Sequence, residues 1–369
     1  MFPDHDVFDA PNFEGMRYTH SKTAILYHDD FLKHRIPNHP ESPERLMVMK
    51  NAIEDDPVDE SVEWVEPRLC EETDILRCHT GGHHEVVRKA SERAKAEKTI
   101  IWLDPDTGVC GDTYHAARRA VGAVCQGVDM ILQNGYQSVW GLVRPPGHHA
   151  TPDRAMGFCL FNNAACAAEY ARAVHKLERV MIIDYDLHHG NGTQEIFYED
   201  PGVLYTSIHQ SYHYPGTGHI DEIGAGEGRG YTVNFPVLAG SGDGENALYL
   251  REVVAPVAWQ FRPQLLIVSV GFDAHISDPL GFLRLSSKQY GKIVTLLRAL
   301  ATELDTGVLY TLEGGYSLEA QAESVVESLI ASVKEKFDAG DLPMPYRPSQ
   351  GAIAALDRLR KALKGIWDL

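Results

Sequence analysis

Two carboxylates and an imidazole recur at every second position in Asp184-Tyr185-Asp186-Leu187-His188, directly after the apolar run Val180-Met181-Ile182-Ile183. Strand side chains alternate sides, so Asp184, Asp186 and His188 project together if the extended backbone continues. Polar groups gathered at a buried strand end cost too much to leave unpaired, and one divalent cation would satisfy them. A further carboxylate, Asp273, follows a second apolar run, Leu265 to Val270. Asp186, His188 and Asp273 offer two oxygens and one nitrogen, a donor set for Zn2+ or another borderline divalent ion. Three protein ligands leave a coordination position for water and substrate, as catalytic centres do. Two carboxylates offset much of the ion's charge, so a separate base has to take the proton of the bound water.

The tandem pair His148-His149 supplies that base. It sits on a turn stiffened by Pro145, Pro146 and Gly147, and each ring needs a partner on its other nitrogen. Asp184 and Asn191, from the metal stretch, are the candidates. Tyr316 follows Gly314-Gly315 at another strand end, where a neutral phenol can donate to a developing oxyanion. The isolated His5, His20, His28, His34, His175 and His213 read as structural.

The elements that must position these groups alternate. Apolar or β-branched runs at 23–28, 138–143, 180–184, 203–208, 265–270 and 308–312 read as strands. Helical periodicity falls between them, from Ser42-Pro43 to about Glu54 and at 83–97, 112–134, 161–176, 245–260, 287–304, 317–334 and 350–365. Such alternation predicts a parallel sheet covered on both faces, with ligands outside the carboxyl ends of its strands. Four strands run into polar clusters, at Arg144–His149, Asp186–His188, Asp273 and Glu313–Tyr316. They therefore converge on one pocket. With no repeat and no linker, 21–369 reads as one catalytic domain. It follows an irregular arm, 1–20, that is either flexible or a contact in a homo-oligomer.

Composition narrows the function. The 369 residues are 44% hydrophobic and carry a net charge of −18 without charge blocks. That balance argues against nucleic acid as a ligand and draws cationic substrates. No secretory signal opens the chain and no run reaches the roughly 18 apolar residues of a membrane span, so a cytoplasmic protein without membrane contacts is expected. Six cysteines without a CxxC read as reduced thiols.

Six segments, RPPGHHA, MGFCLFNNAA, IIDYDLHHGNGTQEIF, PGTG, GFDAH and EGGYS, occur in the order found in the histone deacetylase superfamily of metal-dependent deacylases. From about residue 24 to 330 the chain resembles its class II-like and bacterial branch. The resemblance implies an arginase-like three-layer α/β/α fold with a parallel sheet of about eight strands. It implies zinc on Asp186, His188 and Asp273, His149 as general base and then acid, His148 paired with Asp184, and Tyr316 on the oxyanion. Gly157 and Phe158 match the acyl-lysine channel, with Tyr214 as the facing wall, and Arg45 matches an arginine near the inner cavity. Either Asp104 or Asp106 would be the carboxylate at the rim. A structural potassium ion is implied near Asp184, Asp186, His188 and Ser207.

The implied substrate is an acylated lysine in a protein or peptide. The closest alternative is a small acylated amine, as in acetylpolyamine amidohydrolases. Relatives that prefer acetylpolyamines carry a glutamate where this chain has Leu280. Asn191 stands where class I enzymes have aspartate, so His149 should stay neutral more readily. A non-catalytic acyl-binding module would be favoured by loss of Tyr316 or a tandem histidine, and both are present. A binuclear arginase-type centre needs bridging carboxylates that His189 and Asn191 do not supply.

Overall fold

A computed structural model describes residues 22–335 and 348–369; the expected N-terminal arm, 1–20, lies outside them. Eight strands form one wholly parallel sheet in the order β2-β1-β5-β10-β9-β6-β7-β8. They are β1 (Thr23–Leu26), β2 (Glu63–Val65), β5 (Ser138–Gly141), β6 (Val180–Asp184), β7 (Val203–Gln210), β8 (Thr232–Val237), β9 (Leu265–Val270) and β10 (Val308–Leu312). A separate antiparallel pair joins β3 (Ile101–Trp102) to β4 (Gly108–Val109). The central strands β6, β9 and β10 are buried along their whole length, which is why they read as unbroken apolar runs.

The helices are α1 (Glu44–Glu54), α2 (Glu72–Ile75), α3 (Gly81–Glu97), α4 (Thr113–Asn134), α5 (Asn163–His175), α6 (Asn191–Phe197), α7 (Asp243–Tyr249), α8 (Ala255–Phe261), α9 (Ser287–Glu303), α10 (Leu318–Val333) and α11 (Gln350–Ala362). Alternation along the strands assigns them to two faces. Val139 and Leu309 reach Gly127 of α4, where a larger residue would strike both side chains. Their neighbours Trp140 and Tyr310 point the other way and stack at 4.0 Å, and Trp140 Nε1 donates to Ser332 Oγ of α10. Thus α4, with α5 packed on it, covers one face, and α10, with α1 and α9, covers the other. The result is the expected three-layer α/β/α fold. None of the described helices is long and apolar enough to cross a membrane.

Several elements depart from the sequence reading. The first helix starts at Glu44, with Pro43 as its cap and no side-chain capping bond. The segment expected as one helix over 245–260 is interrupted by a π-helical turn, Leu250–Val254. Strands β2 and β8 and helices α2 and α6 were not anticipated, because β2 has three residues and β8 carries Asn234 and Pro236 within its run.

Candidate metal centre and active site

Strand β6 ends at Asp184, and the chain then turns sharply rather than continuing extended. The turn is fixed by the carboxylates themselves. Asp184 Oδ1 accepts the Asp186 N–H at 3.1 Å and Asp186 Oδ1 accepts the His188 N–H at 2.8 Å. Asp273, just past β9, crosses over to accept the Leu187 N–H on Oδ1 at 2.9 Å. Gly314, just past β10, donates its N–H to Asp186 Oδ2 at 2.8 Å. A Cβ at Gly314 would run into Asp273 Oδ2 and Asp186 Oδ2, so only glycine lets the backbone approach this closely.

These bonds leave a triangle of donors. His188 Nδ1 lies 3.2 Å from Asp186 Oδ1 and 3.2 Å from Asp273 Oδ2. Asp186, His188 and Asp273 each bring one ligand atom to within 4.8 Å of the others. Asp273 Oδ2 is buried and makes no hydrogen bond, although His188 Nδ1 stands 3.2 Å away; a cation between the two would satisfy both the oxygen and the ring nitrogen. The electrostatics agree. Burial and the neighbouring Asp186 push Asp273 up to about 7, which reports two carboxylates forced together. The donor set fits a single divalent ion.

The tandem histidines stand beside this triangle with opposite character. His148 Nδ1 lies 3.0 Å from Asp184 Oδ2. Burial opposes a charge on its ring, but Asp186 and Asp184 outweigh it and raise His148 to about 10. His149 Nδ1 meets Asn191 Oδ1 at 2.8 Å, while the Asn191 amide faces the Met156 sulfur. Burial first, then the charged His148 ring, hold His149 well below the usual histidine range. One imidazole is thus held charged and the other neutral.

The turn carrying them is anchored from below by Glu313, at the end of β10. Its carboxylate accepts the Gly147 N–H at 2.6 Å, the His148 N–H at 3.1 Å and the Ser269 hydroxyl at 3.0 Å. A second buried carboxylate, Glu41, takes Arg144 at 2.7 Å and Arg45 at 3.0 Å. Burial would raise Glu41, but the two guanidinium groups hold it ionised well below the usual range.

A cavity of about 220 Å³ opens onto the centre, lined by His148, His149, His188, Gly157, Phe158, Tyr214, Leu280, Gly314 and Tyr316, with Asp106, Pro146, Cys159 and His213. Tyr214 packs edge-on to His149 at 5.1 Å, and Phe158 packs edge-on to Tyr316 at 5.9 Å. Burial holds the Tyr316 phenol protonated, well above its ordinary range. Of the two aspartates in the rim segment, Asp106 reaches the cavity, while Asp104 accepts the Asp106 and Thr107 amides of its own turn. Arg45 is outside the lining. It lies fully buried behind Tyr316, over whose ring its guanidinium sits at 5.1 Å, and donates to the Glu313 and Gly315 carbonyls. Ser207 pairs with Asp184 across β6 and β7, and its hydroxyl lies 2.9 Å from His209 Nδ1.

Three further residues belong to the site although the sequence alone assigns none of them to it. His213, taken there as structural, lines the cavity with its ring 5.2 Å from that of His188. Asp278 accepts the Tyr316 N–H at 2.7 Å and the Leu280 N–H at 2.9 Å, so one carboxylate sets both cavity residues. His39 packs on Phe158 at 4.5 Å and bonds the Asp106 carbonyl at 3.1 Å. Histidine within an HP dipeptide and aspartate before a proline were the only available signals.

A family model for the histone deacetylase domain matches residues 39–332. Histone deacetylase 14 of Arabidopsis thaliana, a chloroplastic protein, is 36% identical over 328 residues, covering 85% of this chain and 77% of that one. A probable deacetylase of Archaeoglobus fulgidus is 36% identical over 315 residues, covering 84% and 86% of the two chains. The human polyamine deacetylase HDAC10 is 34% identical over 366 residues, or 94% of this chain and 53% of its own. The crystal structure of the HDA15 HD domain superposes with a TM-score of 0.86 at 32% identity, covering 94% and 95% of the chains. The chain belongs to the histone deacetylase family, and its enzymatic class is that of a deacetylase, a hydrolase of amide bonds.

Proposed function

We propose that the protein is a zinc-dependent deacylase that removes acetyl and related acyl groups from lysine side chains. The observation that carries this reading is one cavity lined by the neutral His149, by Tyr316 and by His188, which belongs to the Asp186–His188–Asp273 triangle. Zinc held by that triangle would supply Lewis acidity toward the acyl carbonyl and toward water.

The remaining work falls to the chain. Asn191 Oδ1 accepts from His149 Nδ1–H, which leaves the Nε2 lone pair free to take the proton of the attacking water. The charged His148, paired with Asp184, keeps His149 neutral until that transfer. The same Nε2–H then protonates the departing amine, and the neutral Tyr316 hydroxyl donates to the oxyanion. Asp106 is the rim carboxylate in this account, positioned for the substrate's backbone amides. Phe158 and Tyr214 exclude water along the alkyl stem. Arg45 acts from behind, holding the Gly315 carbonyl next to Tyr316. A structural potassium ion near Asp184, Asp186, His188 and Ser207, a cytoplasmic setting and the absence of nucleic-acid partners complete the reading. Residues 21–369 act in it as one catalytic unit.

Two results test the details. Neutral His149 is the active base, so activity is lost as pH falls through its pKa. A carboxylate at position 191 would raise that pKa, by about 1 unit or more. Asn191→Asp should therefore move the acid limb of the kcat/KM profile to higher pH; an unmoved limb would remove Asn191 from the proposed role. Substrate choice turns on Leu280, an apolar wall of the cavity that offers no counter-charge to a distal ammonium. Acetyl-lysine peptides should be turned over more efficiently than acetylpolyamines, and Leu280→Glu should shift the ratio toward acetylspermidine. The opposite order in the unmodified enzyme would favour the polyamine reading, which the likeness to human HDAC10 keeps in view.

A further inference from the structure

On the far side of the His148–His149 loop, two cysteines that the deacylase chemistry does not use stand face to face. Cys78 lies in the turn after α2, and Cys166 lies in the first turns of α5. Their sulfurs are 3.2 Å apart. Cys166 is fully buried, but Cys78 forms part of the floor of an open cleft of about 380 Å³, with Leu76, His79, Pro152, Glu169 and Asp200 around it. The cleft therefore brings a small solute up to Cys78 and not to Cys166.

Cys78, His79 and Cys166 cluster as metal ligands do, yet the geometry is wrong for a metal. His79 Nδ1 donates to the Thr151 carbonyl at 2.9 Å, and Nε2 accepts the Asn162 N–H at 2.8 Å, so no lone pair is left. Two thiolates on a tetrahedral zinc would sit about 3.8 Å apart, farther than these sulfurs stand. The spacing suits thiol–disulfide chemistry instead. Closing from 3.2 Å to a disulfide of about 2.05 Å needs a movement of roughly 1 Å. Burial opposes ionising either sulfur, but a hydrogen bond from the Cys166 thiol favours thiolate on Cys78, while Cys166 stays protonated.

We propose that Cys78 and Cys166 are a peroxide-responsive pair whose reversible disulfide slows turnover by shifting the loop that carries His148 and His149. The Cys78 thiolate attacks one oxygen of hydrogen peroxide, which breaks the O–O bond and leaves a sulfenic acid and, after protonation, water. Cys166 sulfur then attacks the Cys78 sulfur, and its proton leaves with the hydroxyl as a second water. Two thiols are oxidised and one peroxide is reduced. The coupling to the site is direct. His79 and Thr80 hold the Thr151 and Pro152 carbonyls, two and three residues past His149, and His79 also grips Asn162, the cap of α5.

The test uses the full-length, metal-loaded enzyme exposed to hydrogen peroxide, quenched with an alkylating reagent and digested without reductant. A cross-linked Cys78–Cys166 peptide pair is expected, together with a turnover loss of about tenfold that dithiothreitol reverses. Such a loss lies within the 10²-fold that a 1 Å misplacement near a catalytic group can cost. Cys166→Ser and Cys166→Ala should keep basal turnover and lose the reversible inhibition. The proposal is overturned if no such cross-link forms, if Cys78 goes to sulfinic acid in place of pairing, or if the cross-linked enzyme turns over at the untreated rate. The mass measurement does not depend on which acylated amine is the substrate.

Discussion

Tyr316→Phe is expected to lower kcat by roughly 10²- to 10³-fold while changing KM little. The hydroxyl acts on charge that appears as the carbonyl carbon becomes tetrahedral, whereas the cavity walls meet substrate and transition state alike. Losing one oxyanion donor typically costs about 3–4 kcal/mol. Phenylalanine keeps the ring, and so keeps the edge contact with Phe158 and the contact with Arg45. The backbone stays tied to Asp278. Fold and metal content should therefore survive, and the loss should be purely catalytic. Retention of more than about a third of the turnover, a loss well under 1 kcal/mol, would reduce Tyr316 to a packing residue.

The second large effect is Asp273→Ala, which should abolish turnover and empty the centre. Outer-shell partners of a metal ligand cost 10- to 100-fold in affinity when removed, and a ligand itself costs more. Loss of the fold would not explain the result. Asp273 is pushed up to about 7 by burial and by Asp186, so in the metal-free protein its ionised form is a strained neighbour and not a stabilising one. The bond to the Leu187 amide and the contact with the His188 ring are forfeited, at about 1 kcal/mol each. Metal analysis beside a circular dichroism melt checks both parts; tight metal binding by the variant would displace Asp273 from the ligand set.

Much of this architecture can be read before any coordinates. The buried central strands announce themselves as VMII, LLIVSV and VLYTL, because a strand covered on both faces has no polar alternation to break the run. Polar residues gather just past their carboxyl ends for the topological reason that parallel sheets put ligands there. What stays hidden is local or long-range. Strand β2, with three residues, is too short to show a period, and Pro236 in β8 disguises a strand at the sheet's edge. The extended backbone that would set Asp184, Asp186 and His188 on one side does not continue past Asp184, because the carboxylates of Asp184 and Asp186 cap the backbone amides of their own turn. Glu313 stands out only as a polar residue after an apolar run, and Asp278 only as an aspartate before a proline. Their partners, Gly147 and Tyr316, lie 166 and 38 residues away, and only the fold brings them together. His213 misleads for the opposite reason, since an isolated histidine looks the same whether it lines a cavity or fills a core.

The most direct test of a mononuclear metal deacylase is a titration of the metal-free enzyme with zinc, followed by turnover of an acetyl-lysine peptide. Turnover should rise linearly and break at about one zinc ion per chain, the stoichiometry of a three-ligand catalytic centre. A break at two tightly held ions, or full turnover with none, would contradict it.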